Sequence, residues 1–289
     1  MPKEYKRSIL LLELSTFSVF IGRAWQHILW DAPYRELFWD ANWMQGIVET
    51  LTPFTWEEYV TSPQVDMFIQ GFNTVIGILY LLCAVASFFI KKIPQLKWLL
   101  WAGAASLVFL AFTYLKDHFF HTGQFFEYTL QFGSPLMLTA AVLKGKISDQ
   151  LIYWMKIAVA LTFACHGLYA IGYYPRPGYY TEMTMNILGL DNDSAVTLLK
   201  IAGILDFVVA AGIFFPGKYA RIVLAYAICW GFLTAAARIV GNFFWQFPLD
   251  SLSQWVHEAV YRAPHFLIPL LLFFHLRKTV ASLQPSTVK

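Results

Sequence analysis

Long apolar runs constrain this chain more than any other feature. They fall at roughly Ser8–Trp30, Asp66–Ile90, Lys97–Leu115, Phe126–Leu143, Leu151–Tyr173, Ala195–Phe215, Tyr219–Val240 and Val256–Leu276. Most are close to the ~20 residues that a helix needs to cross a bilayer. Only 13% of the residues are charged, against about 25% in a water-soluble domain, so much of the surface must face lipid. The expected fold is an all-α polytopic integral membrane protein with eight transmembrane helices. The first run is too long for a cleavable signal peptide and carries Glu13 and Arg23, so it is expected to remain as the first span.

The segments between the runs separate by charge. If the N-terminus is cytoplasmic, one side holds Lys3, Lys6, Arg7, Lys91, Lys92, Lys97, Lys144, Lys146, Lys156, Lys218, Arg221, Arg277, Lys278 and Lys289, which is 14 of the 21 basic residues. The only acids there are Glu4 and Asp149, and nearly all the others fall on the opposite side. This is the positive-inside pattern, and it predicts a multi-pass protein with both termini cytoplasmic. The net charge of +3 then reports orientation, and no nucleic-acid partner is expected.

The chain also repeats itself. Gly77–Lys92 (GILYLLCAVASFFIKK) returns as Gly203–Lys218 (GILDFVVAAGIFFPGK), with seven of sixteen positions identical at an offset of 126. A Gly at one end and Phe-Phe-x-x-Lys at the other are more than shared apolar composition would produce. Two four-helix repeats follow, residues 1–146 and 147–289, the first with a long aromatic and acidic loop at 31–65. Four helices per unit is an even number, so both copies face the same way, as parallel repeats about an axis along the membrane normal.

Charges inside a membrane are costly, so they are usually paired or functional. Here they gather at one end of the helices: Arg23, His27, Lys116, Asp117, His118, His121, Glu127, His166, Arg238, Glu258, Arg262 and His265. The exceptions are Glu13, Asp206 and His275. Arg23, His27, His166, Arg238, Glu258, Arg262 and His265 are the candidate ligand-binding residues, beside Trp25, Trp230 and Trp255. Lys116 with Glu127, and Arg238 with Glu258, read as equivalent structural pairs in the two halves. Arg238, Arg262 and Lys116 have a second reading, as side chains that snorkel to lipid headgroups. His118 and His121 give two metal ligands, an incomplete site. Haem between His27 and His166 is disfavoured, because the repeat aligns His166 with Arg23. Asp206, alone in its helix, needs a proton or a partner. Cys83, Cys165 and Cys229 form no C-x-x-C and read as packing residues.

Phe163-Ala-Cys-His-Gly167, Gly203-Ile-Leu-Asp-Phe-Val-Val-Ala-Ala-Gly212 and Thr234-Ala-Ala-Ala-Arg238 resemble the DoxX-like four-helix membrane proteins, which include DoxD-type subunits of thiosulfate:quinone oxidoreductase. The first half departs from the pattern, with Arg23-Ala-Trp-Gln-His27 where His-Gly is expected. The resemblance implies a bacterial inner-membrane protein associated with a quinone, within a redox complex. The leading functional expectation is a quinone-linked oxidoreductase subunit holding a quinone or similar amphipathic molecule in an outward-facing polar pocket. The alternatives are a non-catalytic scaffold that docks a membrane or periplasmic partner, and a small-molecule transporter.

Overall fold

The computed structural model describes residues 3–283, with side chains described as far as residue 276. Lys289 lies outside the described residues, and of Arg277 and Lys278 only the backbone is described. Every assigned element among the described residues is helical. The first half comprises α1 (Lys3–Leu29), the short helices α2 (Arg35–Phe38), α3 (Ala41–Leu51) and α4 (Trp56–Thr61), then α5 (Pro63–Phe89), α6 (Lys97–Asp117), α7 (Thr122–Glu127) and α8 (Thr129–Lys144). The second half comprises α9 (Asp149–Ile171), α10 (Gly178–Leu188), α11 (Asn192–Gly212), α12 (Lys218–Val240), α13 (Pro248–Val260) and α14 (Pro264–Leu283).

Seven helical segments among the described residues are long and apolar enough to cross a membrane: α1, α5, Pro94–Asp117, α9, α11, α12 and Pro248–Leu276. α8 is not one of them. Its 16 residues span only about 24 Å, less than the ~30 Å hydrocarbon core. Large apolar side chains on the flanks of α5 and α11, among them Phe68, Val75, Leu82, Ile201, Ile204 and Val208, are exposed, as lipid-facing positions would be.

Glycine sets the closest approaches. A Cβ on Gly77 of α5 would lie 2.6 Å from Ile28 and 3.1 Å from the Cβ of His27 on α1. A Cβ on Gly203 of α11 would lie 2.9 Å from Ile171 and 3.0 Å from Ala170 on α9. The two glycines that open the recurring sequence segment therefore each seat a close helix pair, α5 on α1 and α11 on α9. Across the halves the contacts are reciprocal: α1 packs on α13 and α14, while α9 packs on α7 and α8.

One end of the bundle is basic and the other acidic, as the loop charges require. Near the basic end, buried Glu13 has Lys91 Nζ 2.8 Å away, which accounts for one of the isolated charges. At the acidic end the 31–65 loop folds into α2, α3 and α4. α3 starts at Asp40, whose side chain accepts from Trp43 N, and α4 starts in a capping box of Thr55 and Glu58. Val48, Tyr59, Val65 and Ile69 pack together beneath these helices.

Candidate ligand-binding site

The charged residues at the acidic end group around Arg23 and around Arg238, with Glu127 of the first half reaching His166 of the second. In the first group, Arg23 is fully buried. Its guanidinium donates to Gln131 Oε1 at 3.0 and 2.7 Å and to Gln26 Oε1 at 2.6 Å, and it lies 3.7 Å from the centre of the Tyr261 ring. His27 sits 2.7 Å from the Arg23 carbonyl through Nδ1 and 3.1 Å from the Tyr34 hydroxyl through Nε2. Both ring nitrogens are thus engaged within the protein, and neither is left for a haem iron. Tyr34, sent down from the 31–65 loop, is completely buried, stacked on Phe109 and edge-on to Phe72. Tyr80 lies beside His27 with its hydroxyl accepting from Ser106 at 3.0 Å. Aromatic rings fill this half.

The second half is open. A cavity of about 350 Å³ lies between α9, α10, α11, α12 and the start of α14, within the size range of small-molecule sites. Phe163, Leu198, Leu199, Ala202, Leu233 and Ala237 form its apolar walls, and His166, Asp206, Arg238, Arg262 and His265 line it. The arrangement follows from the helix rise of 1.5 Å per residue. His166 precedes Gly167, the residue whose Cβ would meet the Gly203 carbonyl at 2.9 Å. Asp206 is one turn further along α11 and lines the cavity together with Trp230. Arg238 lies eight residues beyond Trp230 on α12, about 12 Å nearer the acidic end. The cavity therefore has a deep end of Asp206, Trp230, His166 and His265 and a shallow end of Arg238, Arg262 and Tyr180.

At the shallow end one Glu258 oxygen is 3.3 Å from Arg238 Nη1 and 3.1 Å from Arg262 Nη1. The expected Arg238/Glu258 pair forms, with Arg262 as its third member. The expected Lys116/Glu127 pair does not. Lys116 Nζ is 2.6 Å from Asp40, a residue delivered by the loop and unreadable from helix periodicity, while Glu127 Oε1 is 3.6 Å from His166 Nδ1. Lys116 holds the Asp40 carboxyl below its usual range, chiefly through their hydrogen bond.

At the deep end the His166 and His265 rings meet edge to face, 5.4 Å apart. His265 Nδ1 is 2.9 Å from the Arg262 carbonyl. Because a carbonyl only accepts, Nδ1 is the donor in this contact. Two buried atoms lining this end have no hydrogen-bond partner, His166 Nε2 and Asp206 Oδ1.

Of the seven candidate ligand-binding residues, the cavity thus gathers His166, Arg238, Arg262 and His265, with Glu258 bonded behind them; Arg23 and His27 belong to the closed cluster. His118 and His121 do not converge. His118 faces Asp117 at 3.3 Å, whose hydrogen bond raises its pKa, and His121 stacks on Tyr174. Among the described residues no three His, Cys, Asp or Glu side chains come together as a metal site. Sequence reasoning did not connect Asp206 to the site, and it missed Tyr180, Met183, Thr184 and Ile187 on α10, the helix that roofs the cavity. Their i, i+3, i+4, i+7 spacing is the signal that would have found α10.

These features define a polytopic α-helical membrane protein with a mainly apolar, ligand-sized cavity in one half. No protein-family model, curated protein or solved structure matches the chain.

Proposed function

We propose that the second half binds an amphipathic small molecule of the quinone type, and that the protein is a redox-associated membrane subunit built from two DoxX-like four-helix units. The observation that carries this reading is the pair of orphan polar atoms, His166 Nε2 and Asp206 Oδ1, at the deep end of an otherwise apolar cavity. Buried polar groups are almost always hydrogen-bonded, and leaving one unsatisfied costs about 1–3 kcal/mol. A ring bearing oxygens would satisfy them, while its hydrocarbon tail lies along Leu198, Leu199 and Leu233. The Leu188, Leu233 and Val240 side chains at the cavity's rim are exposed, which gives a membrane-dissolved molecule a side entrance.

The reciprocal packing of α1 on α13 and α14 and of α9 on α7 and α8 supports the duplication, as do the matching seats of Gly77 and Gly203. On this reading α8 is the eighth span, the basic end is cytoplasmic, and the membrane is a bacterial inner membrane. The filled first half serves as scaffold and the open second half binds.

The direct test is the visible spectrum and the solvent-extractable lipids of protein purified in mild detergent. A stoichiometric quinone, lost in His166→Ala or Arg238→Ala, is the expected result; a quinone-free preparation whose variants leave every quinone-linked rate unchanged would sink the proposal. A second reading, a scaffold that docks a partner at the acidic end, draws on the strong exposure there of Trp245 and Leu249, at 84% and 79%. It predicts a stoichiometric partner that is lost when both are changed to Ser.

A further inference from the structure

The buried charges at the acidic end do not balance. Arg23 and Arg238 are buried, and the Arg262 side chain is 12% exposed. The carboxylates among them are Glu127 and Glu258, with side chains 11% and 22% exposed. A guanidinium does not lose its proton in a protein. Three cations therefore face two carboxylates at this end; Asp206, at the deep end of the cavity, forms an ion pair with none of them. The nearby Lys116 adds nothing to the excess, because Asp40 pairs with it.

The geometry shows where the missing negative charge belongs. Arg23 is already surrounded, by Gln131, Gln26 and the Tyr261 ring. Arg262 also lies over that ring, 4.8 Å from its centre, so two cations share one aromatic ring. Arg238 and Arg262 share a single oxygen of Glu258, and Glu127 is turned toward His166. Arg238 and Arg262 are the two guanidiniums that line the cavity. Uncompensated positive charge is expensive in a low-dielectric setting, and guanidiniums pair best with oxyanions.

We infer that the cavity holds its occupant as an anion, with a deprotonated oxygen at Arg238 and Arg262 and the apolar part between α11 and α12. The inference rests on the quinone reading above and narrows it: the ring carries an acidic hydroxyl and binds in its ionised form.

Protein in nanodiscs of zwitterionic phospholipid would be titrated with an alkylated hydroxynaphthoquinone and with its methyl ether, followed by quenching of tryptophan fluorescence. The two probes share ring and chain and differ in charge at neutral pH. The hydroxy compound is expected to bind about tenfold tighter or more, the worth of one charge-assisted hydrogen bond. Its anionic visible absorption should persist in the complex at a pH where the free compound is protonated. Arg238→Gln and Arg262→Gln should each weaken the hydroxy compound more than the ether and so reduce this preference; the comparison within the unaltered protein stands even if a variant fails to fold. Equal affinity for both probes would overturn the inference and leave the quinone reading standing. If the hydroxy compound, the ether and a neutral alkylnaphthoquinone all failed to bind, both would fall. If oleate displaced the hydroxy compound at comparable concentration, the anionic site would be supported and the quinone identity overturned.

Discussion

Gly231 and Gly46 show how far the surroundings of one residue decide the effect of a methyl group. On α12, a Cβ at Gly231 would stand 2.6 Å from the backbone oxygen of His265, which cannot swing aside. Gly231→Ala is expected to push α14 away and to cost about 1–3 kcal/mol, read as a lower unfolding temperature in detergent; an unchanged value would mean that α12 and α14 do not approach this closely. On α3, a Cβ at Gly46 meets nothing within 4 Å, so Gly46→Ala is expected to stabilise by up to about 1 kcal/mol through helix propensity. The residues that bear charge were plain in the sequence, because charge in an apolar run is conspicuous. Their partners were not. Arg238 and Glu258 were paired from their matching helix ends, but Arg23 depends on Gln131 and Tyr261, and Lys116 on Asp40, across separations that no local spacing encodes.

Among the short helices at the acidic end, α3 and α10 are fastened differently. α3 is tied down where Asp40 both caps it and pairs with Lys116. The Asp40 carboxyl is held low, so its contribution is complete above the ordinary carboxylate pKa near 4 and is lost as pH falls through the lower folded value. Protection of the α3 amides, taken relative to their intrinsic exchange rate at each pH, is therefore expected to drop on acidification below about pH 4. In Asp40→Asn, which keeps the cap and loses the ion pair, protection should be lower at neutral pH and nearly flat across that window. α10 is held by Asn186 Nδ2, which donates to the Gly241 carbonyl at 3.1 Å, and by Met183 against Gly241. Asn186→Ala should loosen the roof by about 1 kcal/mol, seen as faster exchange in α10 with α11 unchanged. The spanning helices were legible because hydropathy is a sum over twenty residues. α10, at 11 residues, is too short and too polar for that sum to register.

For the whole molecule, the open question of the eighth span becomes a labelling experiment. Gly145→Cys, at the end of α8, is expected to react with a membrane-impermeant reagent from the same side as Lys92→Cys and from the side opposite to Gly189→Cys. Reaction of Gly145→Cys from the Gly189 side would mean that α8 does not cross. The charge layout made the two ends of the bundle readable in advance. The filled first cavity and the open second one were not readable, since that difference rests on where Tyr34 packs. The reciprocal packing of α1 with α13 and α14 also bears on how the protein is made. The Trp25 and Trp30 indoles both donate to the Ser253 carbonyl, and Arg23 lies on Tyr261, so α1 completes its contacts only when α13 has been made. Arg23 has Gln26 on its own helix and Gln131 on α8 well before then, but the two indoles wait for α13. A chain that stalls before α13 emerges therefore leaves the Trp25 and Trp30 indoles without the Ser253 carbonyl.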